Sequence, residues 1–255
     1  MVQVHPDLPY SMVSSYHNKT QKLISRAHTL MCFSSDPVHD LSHVARVVDI
    51  TQKLASSLRL SPRDIEVLTL AAWWHDTGRT ITKKNRWAMI LLDDMISSIM
   101  LIRHALRHGL CTRISLEAAH IILCKNIGTG ALFTKLFLRK PKHILLNILA
   151  DADNLDMFHI TRFDASSKLA IHSFFYKKAF QFWIWYNLNT ERLILKTAAA
   201  RTFLQQKIKE LIIWLSQKYI NEQFIIQFGK QWVKKTTRQL HNLHAKILLM
   251  NTSTT

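Results

Sequence analysis

Glycine and proline are scarce in this chain, five of each in 255 residues, and no proline follows Pro141. A sheet linked by many tight turns needs more of both, so the composition predicts long helices. Cysteine is scarcer still. Cys32, Cys111 and Cys124 are odd in number and far apart, which excludes a disulfide framework or a cysteine zinc knuckle and suits a reducing, cytoplasmic setting. Long apolar runs are missing too: the best, LIIWL at 211–215 and ILLNILA at 144–150, are too short to span a bilayer. The opening residues MVQVHPDLP have no basic stretch leading into an apolar one, so no export signal is expected. Acidic residues are outnumbered, 17 against 34 Lys and Arg, for a formal charge of +17. The excess is uneven: residues 1–153 carry 19 basic against 12 acidic, and residues 154–255 carry 15 against 5. Such a field concentrates anions, whether a phosphorylated substrate, nucleic acid or an anionic membrane, although ordinary solvated helix faces give the same count.

What the chain does have is apolar content, 48%, enough for a folded core. Helices are predicted over 18–33 and, after a break at Pro37, over 38–59, where Val44, Val47, Val48, Thr51, Leu54, Ala55 and Leu58 recur at helical spacing. Ser61 and Pro62 form a capped helix start. The run from Ile65 to Trp74 is apolar on nearly all sides, which predicts a buried helix delivering His75 and Asp76 at its end. Further helices are expected at 87–108, at 115–125 and from 131 through a turn at Pro141 to 157. The segment FFYKKAFQFWIWY at 174–186 holds eight aromatics in thirteen residues and is read as a helix packed on the core. Two amphipathic helices, 197–220 and 222–250, complete the chain. The expected fold is all-α, with a lead-in over 1–35, a helical core over 36–165 and a C-terminal extension over 166–255.

Imidazole and carboxylate groups from several helices facing one cavity are the usual metal holders of helical enzymes. Three segments supply them: HDLSHVARV at 39–47, AAWWHDTGR at 71–79 and ADADNLD at 150–156. The carboxylates of the last lie in an otherwise apolar helix, where an unpaired charge is costly and calls for a metal or an arginine. The order of these motifs resembles the HD-domain superfamily of metal-dependent phosphohydrolases. The likeness is greatest to a small bacterial single-domain branch with an aromatic-rich segment followed by a helix of small and basic residues, here 174–178 through TAAARTFL at 197–204.

The resemblance implies an HD-domain helical bundle with His43, His75, Asp76 and Asp153 as metal ligands, and Asp151 as the alternative to Asp153. It implies hydrolysis of a phosphate ester or anhydride of a small nucleotide-like substrate by metal-activated water. One divalent ion is expected, Mg²⁺ or Mn²⁺ ahead of Co²⁺, Fe²⁺, Ni²⁺ or Zn²⁺. The implied catalytic residues are His75, Asp76 and Arg79, and Arg79 is also expected to meet a substrate phosphate, supplemented by Lys83 and Lys84. His39 is a neighbour of the site, Asp40 is a candidate to fix a ligand histidine's tautomer, and Arg46 is expected to pair with an acidic group across the bundle. His104, His108 and His120 match two-metal relatives poorly, and Lys125 stands where a further histidine would be wanted. The competing reading is a binding protein that uses the basic C-terminal helices, around Lys207, Lys218, Lys230, Lys234, Lys235 and Arg238, for nucleic acid, anionic membrane or a partner protein.

Overall fold

A computed structural model describes residues 15–81, 92–125, 142–189 and 195–252. These residues form eleven α-helices and one short 3₁₀ helix, with no strand among them. In chain order the helices are α1 (Ser15–Met31), α2 (Leu41–Ser57), α3 (Pro62–Trp74), α4 (Asp93–Arg107), α5 (Arg113–Cys124) and α6 (His143–Asp156), followed by α7 (Ile160–Ile171), α8 (Phe174–Leu188), α9 (Ala198–Ser216), α10 (Lys218–Phe228) and α11 (Lys230–Thr252). The 3₁₀ helix, Thr77–Thr80, follows α3 directly.

Local sequence explains the helix starts. Asp40 caps α2, its carboxylate accepting from the backbone N–H of His43 at 2.9 Å, and Ser61 caps α3 ahead of Pro62. The apolar stripe predicted for α2 is buried from Val44 to Ala55. Helix α3 touches α1, α2, α4, α5 and α6, so its all-round apolar composition is that of a central helix. Trp74 at its end is fully buried and donates its indole N–H to the carbonyl of Leu23 at 3.0 Å, which locks α1 against the site-bearing end of α3.

The C-terminal helices continue the same core. Helix α9 lies on α2, α6 and α7 and is packed in turn by α10 and α11. Two expectations need correction here. The two long helices predicted after residue 197 are three, because Gln217 takes an extended backbone and Gly229 sits at φ 89°. That is a left-handed value which glycine adopts at little cost and which stops a helix. The aromatic helix α8 is only partly core. Phe180, Ile184 and Leu188 form one buried stripe, while Phe174, Phe175 and Phe182 are exposed. Among the described residues no helix is long and apolar enough to cross a membrane.

Candidate metal centre

The ends of six elements converge around two buried histidines. His43 sits in the first turn of α2, and His75 and Asp76 sit at the junction of α3 and the 3₁₀ helix. Asp153 and Asp156 come from the last turn of α6, Asp93 and Asp94 from the first turn of α4, Lys125 from the end of α5 and Arg162 from the start of α7. The turn bearing His75 and Asp76 is pinned from outside. Gly78 donates its N–H to Ser97 Oγ at 2.8 Å, and a Cβ on Gly78 would stand 2.9 Å from the carbonyl oxygen of Asp93 and 3.0 Å from Ser97 Oγ. Only glycine allows the turn to lie this close to α4.

Both ring tautomers are fixed by partners that cannot be mistaken. His75 Nδ1 lies 2.7 Å from the carbonyl oxygen of Ala72; a carbonyl only accepts, so Nδ1 carries the proton and Nε2 presents a lone pair. His43 Nδ1 lies 2.7 Å from Asp156 Oδ2 and donates to it, which again leaves Nε2 as the free atom. The two Nε2 atoms face one another at 3.3 Å. Two lone pairs at that distance repel unless a cation or a proton lies with them. Asp76 Oδ2, also buried, is 3.1 Å from His43 Nε2 and 3.4 Å from His75 Nε2. Asp153 Oδ1 is 3.4 Å from His43 Nε2 and 4.0 Å from His75 Nε2. Ligand atoms of His43, His75 and Asp153 all lie within 4.8 Å of one another. Donor atoms crowded this closely share one centre, and two imidazoles with two carboxylates are a donor set suited to a divalent ion.

Charge agrees with geometry. With the histidines neutral, the cluster holds six carboxylates (Asp36, Asp76, Asp93, Asp94, Asp153, Asp156) against four cations (Arg46, Arg79, Lys125, Arg162), a surplus of two negative charges. Burial, with Asp76 and Asp153 adding to it against Lys125, pushes Asp94 up to about 6. Burial holds His75 down to about 4, neutral as a metal ligand must be. His43 goes the other way: burial and Arg162 oppose its charge, but Asp156 and Asp76 outweigh them and raise its pKa. Burial alone would raise Asp76 and Asp153 as well; the neighbouring histidines and Lys125 hold both well below the usual carboxylate range. A divalent cation would remove the surplus.

The surroundings sort the remaining candidates. Asp151 is not part of the cluster. Its carboxylate accepts from the backbone N–H of Lys196 at 2.9 Å and of Thr197 at 2.8 Å, and from Thr197 Oγ1 at 2.8 Å, tying α6 to the start of α9. The reason is helical phase: at about 100° per residue Asp153 and Asp156 share a face, and Asp151 lies roughly opposite Asp153. Asp156, rather than Asp40, orients His43, and Arg46 grips the same carboxylate through Nε at 2.6 Å and Nη2 at 3.2 Å. The resemblance did not mark Asp156, although its i+3 spacing from Asp153 was a usable signal. Arg79 is near the site but engaged by Asp93 at 3.0 Å and Asp36 at 3.5 Å; Lys83 and Lys84 lie outside the described residues. Lys125, which is buried, holds Asp153 Oδ2 at 2.8 Å and faces Asp94 Oδ1 at 3.7 Å. The rings of His104 and His108 meet at 4.3 Å, tilted by 41°, beside Trp74, and neither they nor His120 join the cluster.

Comparison with known proteins agrees with this arrangement. No curated protein and no solved structure matches the chain at a significant level. A family profile described as HD-CE matches residues 20–148, half of the chain. The match takes in His43, His75 and Asp76 and ends before Asp153. The profile takes in the paired His75 and Asp76, and His75 joins His43 and Asp153 in a cluster fit for a divalent ion; the chain belongs to the HD-CE family of HD domains.

Proposed function

We propose that the protein is a metal-dependent phosphohydrolase that cleaves a phosphate ester or anhydride of a small nucleotide-like substrate. The observation that carries this reading is the convergence of His43 Nε2 and His75 Nε2, 3.3 Å apart, with Asp76 Oδ2 at 3.1 and 3.4 Å from them and Asp153 Oδ1 at 3.4 and 4.0 Å. A divalent ion held by His43, His75, Asp76 and Asp153 supplies Lewis acidity and acidifies water at neutral pH. The chain's own groups do the rest. Asp76, ionised at neutral pH, accepts a hydrogen bond from the attacking water and orients it. Asp156 and Arg46 keep the His43 ring in the tautomer that offers Nε2. Lys125 occupies the second oxygen of Asp153, so that only Oδ1 is presented to the histidines. Lys125 also takes up the space between Asp94 and Asp153, which supports a site for one ion.

The test is phosphate and pyrophosphate release from a panel of nucleotides with Mg²⁺, Mn²⁺ or a chelator, for the native protein beside Asp76→Ala. Release that needs the ion and falls at least about a hundredfold in the variant supports the reading; no release from metal-loaded, folded protein ends it. A second reading is favoured by one surface feature. A groove of about 520 Å³ between α10 and α11 is lined by Asn221, Ile225, Val233 and Thr237 together with Lys230, Lys234, Arg238 and His241, and the last four are groups that suit a polyanion. Nucleic-acid affinity that falls steeply between low and physiological salt would support that use.

A further inference from the structure

We propose that Arg162, which lies on α7 beyond the matched family region, is the phosphate-binding residue of the site. The inference rests on the phosphohydrolase reading above. Arg162 is buried, 8% exposed. Its Nη1 lies 3.5 Å from Asp153 Oδ1 and 3.5 Å from Asp156 Oδ2, beyond the range of a good hydrogen bond. Its Nη2 donates to His39 Nε2 at 3.0 Å, and its Nε has no partner at all. A buried guanidinium with five donors therefore makes one sound hydrogen bond, an expensive condition that an oxyanion would relieve.

The other cations of the cluster are committed elsewhere. Arg46 is gripped by Asp156 and Lys125 by Asp153; Arg79, whose Nε also has no partner, pairs with Asp93 at 3.0 Å and Asp36 at 3.5 Å, neither of which is a candidate ligand. The two carboxylates near Arg162 already have these stronger partners: Asp156 serves His43 and Arg46, and Asp153 serves Lys125 and the histidine pair. Arg162 thus holds its charge against the very oxygen, Asp153 Oδ1, that a divalent ion would take. Two cations at one carboxylate oxygen repel, and an anion between them removes the conflict. A phosphoryl group matches that need in charge and in its ability to accept two parallel N–H bonds.

The guanidinium is also aimed. An arginine only donates, so His39 accepts at Nε2 and is neutral, and its Nδ1 donates to Asp36 Oδ2 at 3.1 Å. Asp36 is itself fixed by the backbone N–H groups of Val38 and His39 at 2.9 and 3.2 Å. The line Asp36, His39, Arg162 makes His39 a positioning residue for Arg162. The open side of the cluster is where this line lies: the Asp36, His39 and Asp153 side chains retain 29%, 21% and 22% of their exposure, whereas His43 and His75 retain none.

The experiment is calorimetric. Mn²⁺ and then inorganic phosphate are titrated into the wild type, Arg162→Gln and Arg162→Lys. The proposal expects phosphate to bind the Mn²⁺-loaded wild type, to weaken at least about tenfold in Arg162→Gln, and to be partly kept in Arg162→Lys, which retains the charge but not the fork. Mn²⁺ affinity should hold or tighten in Arg162→Gln, since a competing cation leaves Asp153; a purely structural arginine would lower it. Phosphate affinity unchanged in Arg162→Gln, or Mn²⁺ binding lost together with phosphate, overturns the proposal. Should Arg162→Gln fail to fold, Arg162→Lys decides alone, and wild-type phosphate affinity in that variant overturns it. Nucleotide turnover by a wild type whose phosphate affinity ignores Arg162 sinks only this inference. Absence of both turnover and phosphate binding in the Mn²⁺-loaded wild type sinks the phosphohydrolase reading with it.

Discussion

At the scale of single residues, the site is governed by which atoms are left without a partner. His43 and His75 each give their Nδ1 proton away, and what remains is a cage of acceptors. Its response to pH follows from the two shifts. The folded pKa of His43 is raised, so its contribution to stability is full below the ordinary value of 6.5 and is lost as pH rises through the raised value. His75 is lowered to about 4, so it costs stability as pH falls from 6.5 toward 4. An ion must displace the proton from His43, and Mn²⁺ affinity should therefore rise with pH by up to about tenfold per unit while His43 is protonated, then level off. Isothermal titration between pH 6 and 8.5 reads this directly, and a flat profile would mean that His43 is not a ligand. Asp156→Asn should lower Mn²⁺ affinity roughly 10 to 100-fold, although it touches no ion, because it holds the His43 ring. Lys125→Met strands two carboxylates, Asp153 and Asp94, and should cost about 3–5 kcal/mol in the metal-free protein. Urea unfolding with and without Mn²⁺ should find the ion restoring more stability in that variant than in the wild type.

At the scale of elements, helix ends carry the chemistry and helix phase decides which residues share it. Asp151 and Asp153 differ by two positions and have unrelated tasks. Asp151→Ala should lose about 2–3 kcal/mol, because the start of α9 loses its acceptor, and should leave Mn²⁺ affinity as it was. Asp153→Ala should do the reverse; thermal melts beside titrations check the pair. Gly78→Ala should cost about 1–3 kcal/mol through overpacking against α4 and weaken Mn²⁺ by moving Asp76. Much of this was legible in the sequence. The cap at Asp40, the start at Ser61 and Pro62 and the all-apolar α3 are local patterns with local causes. The pairing of His43, His75, Asp76 and Asp153 was legible through the family resemblance. The choice between Asp151 and Asp153 was not, since it turns on the phase of α6. Lys125 and Arg162 were hidden as ligand neighbours, because nothing in a lysine or arginine's own sequence context tells which distant carboxylate it will meet. The break at Gly229 was passed over, although a lone glycine in a helical pattern was the signal for it.

At the scale of the molecule, a centre whose carboxylates outnumber its Lys and Arg groups sits inside a chain of formal charge +17. A strongly basic exterior raises the local concentration of any phosphorylated substrate, and association should slow as salt is added. The C-terminal helices belong to the working unit on this account: α7 brings Arg162 to the cluster, and α9 is tied to α6 through Asp151. The central claim is that His43, His75, Asp76 and Asp153 hold one divalent ion. Calorimetric titration of Mn²⁺ into the metal-free protein at pH 8, beside His75→Ala, tests it most directly. The account predicts one ion per chain, with binding lost or weakened at least about a hundredfold in the variant. Two ions per chain, none, or binding that His75→Ala leaves intact would contradict it.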